Sequence, residues 1–194
     1  MKTSRLAGMR RSSDLYFTPA CMVEPVIPHL RKWAGVFAAV ERRKPIVLCP
    51  FDTEDSEYVH AFSGLDFIEC LKYGHVDTGQ DFFEYDYGEW DVCVSNPPFS
   101  RKMEVFERLD STGKPWALLM NTMILNYNVV NEYFSRQEYE MQRLVFTKKM
   151  TFDGRTSAFN SSYICREFMP RCTNYIVMER DNVGPRFVPS RMMR

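Results

Sequence analysis

Three short, mostly apolar runs constrain this chain more than anything else in it. Ile46-Val47-Leu48-Cys49 follows Pro45, Trp90–Ser95 (WDVCVS) runs into Asn96-Pro97-Pro98-Phe99, and Pro115–Met120 (PWALLM) lies between polar stretches. Runs this short, without alternation, mark strands covered on both faces, as in a parallel sheet between helical layers. The segments around them have helical patterns. Ala20–Arg43 carries apolar Val23, Ile27, Leu30, Val36, Phe37 and Val40, and Pro25 and Pro28 predict a kink or two shorter helices there. Ser56–Phe62 reads as a helix capped by Thr53, with Glu54, Asp55 and Glu57 near its positive end. Arg101–Leu109 and Tyr127–Ser135 are further helical stretches. Phe67–Leu71 reads as a second strand and Gly74–Tyr87 as loop with a short strand or turn. Gln142–Thr147, Ser162–Phe168 and Asn174–Glu179 read as closing β segments. The expected fold is an α/β sandwich with a mostly parallel sheet and an antiparallel C-terminal hairpin. Ligands of such sheets bind beyond the C-terminal strand ends, so the loops after Cys49, Leu71 and Ser95 are expected to meet at a site.

The 194 residues suit one domain, expected over 14–181, between a flexible basic arm (1–13) and a loose tail (182–194). A 45% hydrophobic content is too high for disorder, and no apolar run is long enough to cross a bilayer. The basic start, MKTSRLAGMRRSS, lacks the apolar stretch of a secretory signal. Six scattered cysteines without a CxxC pair argue against a zinc ribbon or a disulfide scaffold, and predict reduced, mostly core thiols in a cytoplasmic protein. Net charge is zero, yet residues 51–91 carry twelve acidic residues against one basic, Lys72. The rest of the chain has 24 Lys and Arg against 13 Asp and Glu. An acidic site and a basic groove are compatible with that split; a strongly basic DNA-binding module is not.

Ser95-Asn96-Pro97-Pro98-Phe99 carries the most chemical information. Two prolines fix φ twice and remove two donors, leaving a stiff rim of carbonyl oxygens and one amide, followed by an aromatic ring. Such a rim suits an exocyclic amino group. The lone pair of that nitrogen is delocalised into its ring; if the Asn96 side-chain oxygen and the Pro97 carbonyl accept its hydrogens, it is pushed toward tetrahedral geometry and toward an electrophile held in line. Phe99 would stack on the heterocycle, worth about 1–3 kcal/mol, and in duplex DNA the base must first be flipped out. A plain rigid strand-to-helix turn is the alternative.

These residues resemble class I S-adenosylmethionine-dependent methyltransferases of the amino-group type, whose catalytic loop is D/N/S-P-P-Y/F/W. Within that group the chain is most similar to small phage-type adenine-N6 DNA methyltransferases, over about Asp14–Arg180. The resemblance implies a Rossmann-like methyltransferase sandwich and makes Asn96, Pro97, Pro98 and Phe99 the catalytic loop. It implies that the segment containing Tyr16, Thr18 and Pro19 binds cofactor ahead of the first strand. Of the cofactor loop, Pro50 and Phe51 match, Cys49 stands where the family has an acidic residue, and the usual glycines are missing. Asp52 would then supply a carboxylate for the cofactor's amino group, or simply cap a helix. By the same resemblance Glu69 would bind the ribose, and Asp81 would accept from the adenine amino group with Phe82 on the adenine face. A negative pocket is suited to a ligand carrying a sulfonium and an ammonium.

Arg101, Lys102, Lys148, Lys149 and Arg155 flank loops of the same edge and are expected to hold phosphates beside a flipped base, or to be solvated. Residues 156–162 would close over the base. His29, His60 and His75 have no metal-ligand spacing, and no metal is expected. The leading expectation is methyl transfer to N6 of adenine in DNA, in a bacterial or phage-infected cell, with a second copy or a partner protein aiding target recognition. RNA adenine or guanine, or a protein glutamine, is the alternative substrate. A degenerate methyltransferase fold that only binds is the third possibility.

Overall fold

The computed structural model describes residues 18–149, 151–152, 155–156, 160–170, 172–177 and 186–187. The basic arm, with Tyr16, lies outside the described residues. Helices are α1 (Ala20–Val23), α2 (Ile27–Glu41), α3 (Glu57–Phe62), α4 (Lys102–Ser111) and α5 (Asn128–Ser135). Strands are β1 (Ile46–Cys49), β2 (Cys70–Tyr73), β3 (Val92–Ser95), β4 (Trp116–Asn121), β5 (Gln142–Phe146), β6 (Thr151–Phe152), β7 (Arg155–Thr156), β8 (Ser161–Arg166), β9 (Thr173–Val177) and β10 (Arg186–Phe187).

Eight of these strands form one sheet in the order β10-β9-β5-β8-β4-β3-β1-β2. The β2-β1-β3-β4 half is parallel throughout, and β5 pairs in parallel with β9. Only β8, antiparallel to both β4 and β5, and β10, antiparallel to β9, run against the rest. The result is the expected mostly parallel sheet with its antiparallel C-terminal part. Part of the expected loose tail belongs to it, because Arg186 and Phe187 pair with Val177 and Ile176.

Alternate residues of the apolar runs feed two cores. Val47, Cys49, Val92, Val94, Ala117 and Leu119 lie in one with Met22, Val26 and Leu30 from the α1–α2 region and Tyr58 and Phe62 from α3. Leu48, Cys93, Leu118 and Met120 lie in the other with Val105, Phe106 and Leu109 from α4 and Val130 from α5. That is the two-sided cover a parallel sheet needs. At the first core Tyr58 Oη and Tyr163 Oη are 2.8 Å apart, and Tyr163 donates to the Met22 carbonyl (2.9 Å), tying α1, α3 and β8 together.

Several local expectations shift. Pro25 lies in a single 3₁₀ turn, Glu24–Val26, which divides α1 from α2 as the prolines predicted. Val36 and Val40 of α2, part of the apolar pattern, are 64% and 70% exposed. The cap of α3 is Ser56, which accepts from the Val59 N–H (3.3 Å), not Thr53. β2 begins at Cys70 rather than at Phe67: Ile68 is already spent in the core and Phe67 lies under the Arg31 guanidinium (4.3 Å). Cys49, Cys93 and Cys165 are buried and Cys70 is exposed; all six cysteines are reduced. Among the described residues, no helix is long and apolar enough to cross a membrane.

Candidate functional site

The chain leaves β1 and β3, neighbours in the sheet, at the same edge. Asp52, three residues beyond the end of β1, accepts through Oδ2 from the hydroxyl of Ser95, the last residue of β3, at 2.5 Å. Asp52 is only 6% exposed. Burial pushes its carboxyl up to about 7, while hydrogen bonds from Ser95 and Ser56 act in the opposite sense. No cationic side chain is among the groups that set it, so burial wins over two neutral hydroxyls. With Ser56 as the cap of α3, the capping alternative for Asp52 is closed.

Asn96 follows directly. Its Nδ2 donates to Thr18 Oγ1 at 3.0 Å, although 78 residues separate the two. Its Oδ1 is buried and, among the described residues, accepts no hydrogen bond. A buried carbonyl oxygen without a donor costs about 1–3 kcal/mol, so its persistence at the mouth of the sheet needs a reason. Pro97 is buried; Pro98 and Phe99 are half-buried. Pro98 is extended (φ −63°, ψ 122°), and its carbonyl accepts from Arg101 N–H (3.2 Å) to start the turn into α4. Phe99 packs against the α4–α5 core, so part of its ring is already covered.

The loop after β1 lacks glycine but gains rigidity from the loop after β2. Gly74 N–H donates to the Cys49 carbonyl (3.3 Å), and Asp52 N–H donates to the Gly74 carbonyl (2.9 Å). A Cβ on Gly74 would lie 2.6 Å from Tyr87 Oη and 2.9 Å from Gln80 Cβ. Tyr87 Oη in turn donates to the Gln80 carbonyl (2.8 Å) and is 3.4 Å from the Pro50 carbonyl. The close approach that usually calls for glycine after the first strand is thus met from the neighbouring strand. Cys49, wholly buried, has its thiol pushed up by burial and packs as an apolar residue.

The structure therefore brings together Thr18, Cys49, Pro50, Phe51, Asp52 and Asn96–Phe99. Pro19, beside Thr18, accepts from the Met22 N–H at the start of α1. Glu69 is a correction. It is exposed, precedes β2, and donates its N–H to Pro45, at the opposite edge of the sheet. The residues that do leave the C-terminal end of β2 are Tyr73, Gly74, His75 and Asp77. Phe82 also differs: it is 5% exposed, with Phe51 edge-on at 4.9 Å and the Arg108 guanidinium 5.3 Å from its ring. It is a wall, and Phe51 is the half-exposed ring. Asp81 is half-buried, and its Oδ1 accepts from the Phe83 N–H (3.0 Å).

The basic residues divide. Arg101 is paired with Glu104 and lies 3.4 Å from the Phe83 ring centre, so its charge is already engaged. Lys102 Nζ is 4.8 Å from the centre of the exposed Tyr127 ring. Lys148 and Lys149 are exposed. Arg155 is in the β6–β7 hairpin, its backbone opposite Phe152. Of the expected closing segment, residues 157–159 lie outside the described residues, and the Asn160 carbonyl accepts from Thr122 N–H and Oγ1. Among the described residues there is no group of three or more metal-ligating side chains. Ser95 and Thr18 as hydrogen-bond partners were missed by sequence reasoning. The one available signal for Ser95 was a lone hydroxyl ending an otherwise apolar buried run.

No family model matches the sequence, and no curated protein matches it. In structure the chain is similar to the crystal structure of a chain assigned as a modification subunit of a type I restriction enzyme from Vibrio vulnificus YJ016, with a TM-score of 0.50 and 13% identity. The match covers 90% of this chain and 49% of that one, so this chain spans about half its length. At that identity the likeness concerns fold. The fold is a Rossmann-like α/β sandwich, mostly parallel with an antiparallel C-terminal part.

Proposed function

We propose that the protein is an S-adenosylmethionine-dependent N-methyltransferase whose acceptor is an exocyclic amino group, with N6 of adenine in DNA as the favoured target. One observation carries the reading: Asn96 Oδ1, at the sheet edge and ahead of two prolines, is a buried acceptor without a donor. An amino group brings the missing donor. Accepting its hydrogen, Asn96 holds the nitrogen and raises the availability of its lone pair, and the prolines keep the amide from following thermal motion of the loop. Because Oδ1 is shielded, a target has to part the cover above it, which keeps water out of competition for the same oxygen.

Asp52 is the test of fit for the cofactor. A buried carboxylate balanced only by hydroxyls gains from a cationic neighbour, and S-adenosylmethionine offers an ammonium and a sulfonium. Asp52 and the half-exposed Phe51 would hold it, with Asp81 as a further candidate; bound there, it supplies the methyl group. Lys102, Lys148, Lys149 and Arg155 are the basic residues proposed to meet phosphates, and Tyr127 gives Lys102 a flat neighbour suited to a base. A second copy or a partner protein is proposed to aid target recognition.

The glycine-free loop and the covered Phe82 favour one other reading, a fold that binds without transferring. Titration calorimetry with S-adenosylmethionine separates the two, binding at micromolar concentration supporting the enzyme. Incubation of unmethylated DNA, RNA and glutamine peptides with tritiated cofactor then identifies the acceptor. Asn96→Ala is expected to lower transfer by about 10²–10³-fold while cofactor affinity stays within about twofold. An equal loss of both would refute the role given to Asn96.

A further inference from the structure

The contact between Thr18 and Asn96 spans 78 residues and joins the segment entering α1 to the loop leaving β3. Thr18 is 8% exposed, and no side chain caps α1, whose first turn is closed by the Pro19 carbonyl. The hydroxyl of Thr18 therefore serves Asn96 rather than the helix beside it. An asparagine amide has a donor end and an acceptor end, and turning it over exchanges what it shows to a ligand. With Nδ2 held by Thr18, the oxygen is the end left without a partner. We propose that Thr18 is a positioning residue that holds the Asn96 amide with its oxygen presented to the incoming amino group; this rests on the transferase reading above.

With Thr18 Oγ1 accepting from Nδ2, the amide keeps its N–H end on Thr18 and its Oδ1 end toward the incoming amino group. Without the hydroxyl, both amide ends are short of partners and the side chain has no anchor before the target arrives. The cost then falls on the rate of the aligned complex and not on binding.

The test uses Thr18→Val, which keeps shape and removes the hydroxyl, and Thr18→Ser, which restores it. With tritiated S-adenosylmethionine and DNA free of methyladenine, Thr18→Val is expected to lower kcat about tenfold, with both KM values within about twofold. Thr18→Ser is expected to restore most of the rate. The side-chain NH₂ signals of Asn96, assigned by their disappearance in Asn96→Ala, should shift in Thr18→Val and return in Thr18→Ser. An unchanged kcat, a loss confined to the KM of the cofactor, or no recovery with serine overturns the proposal. If the wild-type chain transfers no methyl group, the transferase reading fails by itself. The Asn96 signals then decide the contact, and their indifference to Thr18→Val overturns the anchoring of Asn96 as well.

Discussion

Two low-exposure aspartates, Asp52 and Asp110, lie at opposite edges of the sheet and are treated in opposite ways. Asp110, at the end of α4, accepts from Trp116 Nε1 (2.8 Å), Tyr133 Oη (2.6 Å) and Tyr139 Oη (2.7 Å), and lies 3.4 Å from the Arg166 guanidinium. It joins α4, α5, β4 and β8. Nearby at that edge Asp91 is held at 2.7 Å by both terminal nitrogens of Arg43 and also accepts from the Ile46 N–H. Asp52 has hydroxyl partners and no cation, and its carboxyl stands at about 7. At one edge each of these carboxylates is met by several donors and an arginine; the other edge keeps a carboxylate without a cation and an amide oxygen without a donor. Deficits of this kind mark a place prepared for something else to bind.

Removing the saturated carboxylate should therefore hurt folding and spare the site. Asp110→Ala strips three donors and an arginine of their acceptor, and is expected to cost about 3–5 kcal/mol in denaturant unfolding, with cofactor affinity unchanged. A small stability loss would break the contrast. Gly74→Ala probes the lacing of the site edge: its Cβ meets Tyr87 and Gln80, so a loss of about 1–3 kcal/mol is expected. An unaltered melting temperature would mean that this edge yields easily. Asp52→Asn has the smallest expected effect, about a tenfold rise in cofactor Kd from the loss of a single ion pair.

The pH dependence of Asp52 follows from its raised pKa. The folded state holds this proton more tightly than the unfolded chain, so the contribution of Asp52 to stability is greatest below the ordinary carboxylate range and is lost as pH rises toward about 7. A cationic ligand prefers the ionised form, so wild-type cofactor affinity should climb between about pH 6 and 8 and level off above it. In Asp52→Asn both dependences should flatten. A wild-type affinity indifferent to pH would remove Asp52 from the binding site.

What the sequence made legible follows from how local each signal is. β1, β3 and β4 are apolar on both faces and were found within a residue or two, because burial on two sides leaves no other reading. β2 is an edge strand with Cys70 and Tyr73 exposed, so its composition says little, and the apolar Phe67-Ile68 drew the expected strand three residues too early. That shift moved Glu69 to the wrong edge. Asn96–Phe99 was legible because its constraint lies within four consecutive residues. The Ser95–Asp52 and Thr18–Asn96 contacts were not, since each depends on how distant segments are brought side by side.

Strand β8 has a consequence for biosynthesis. Its residues, 161–166, fill the gap between β4 and β5, both of which precede it in the chain. A ribosome-bound chain therefore carries a split sheet, with two unsatisfied strand edges facing each other, until residues 161–166 emerge. Such edges invite pairing with other nascent chains, so slow translation through this region should favour aggregation, and a chaperone that shields β4 and β5 should raise the yield of native protein.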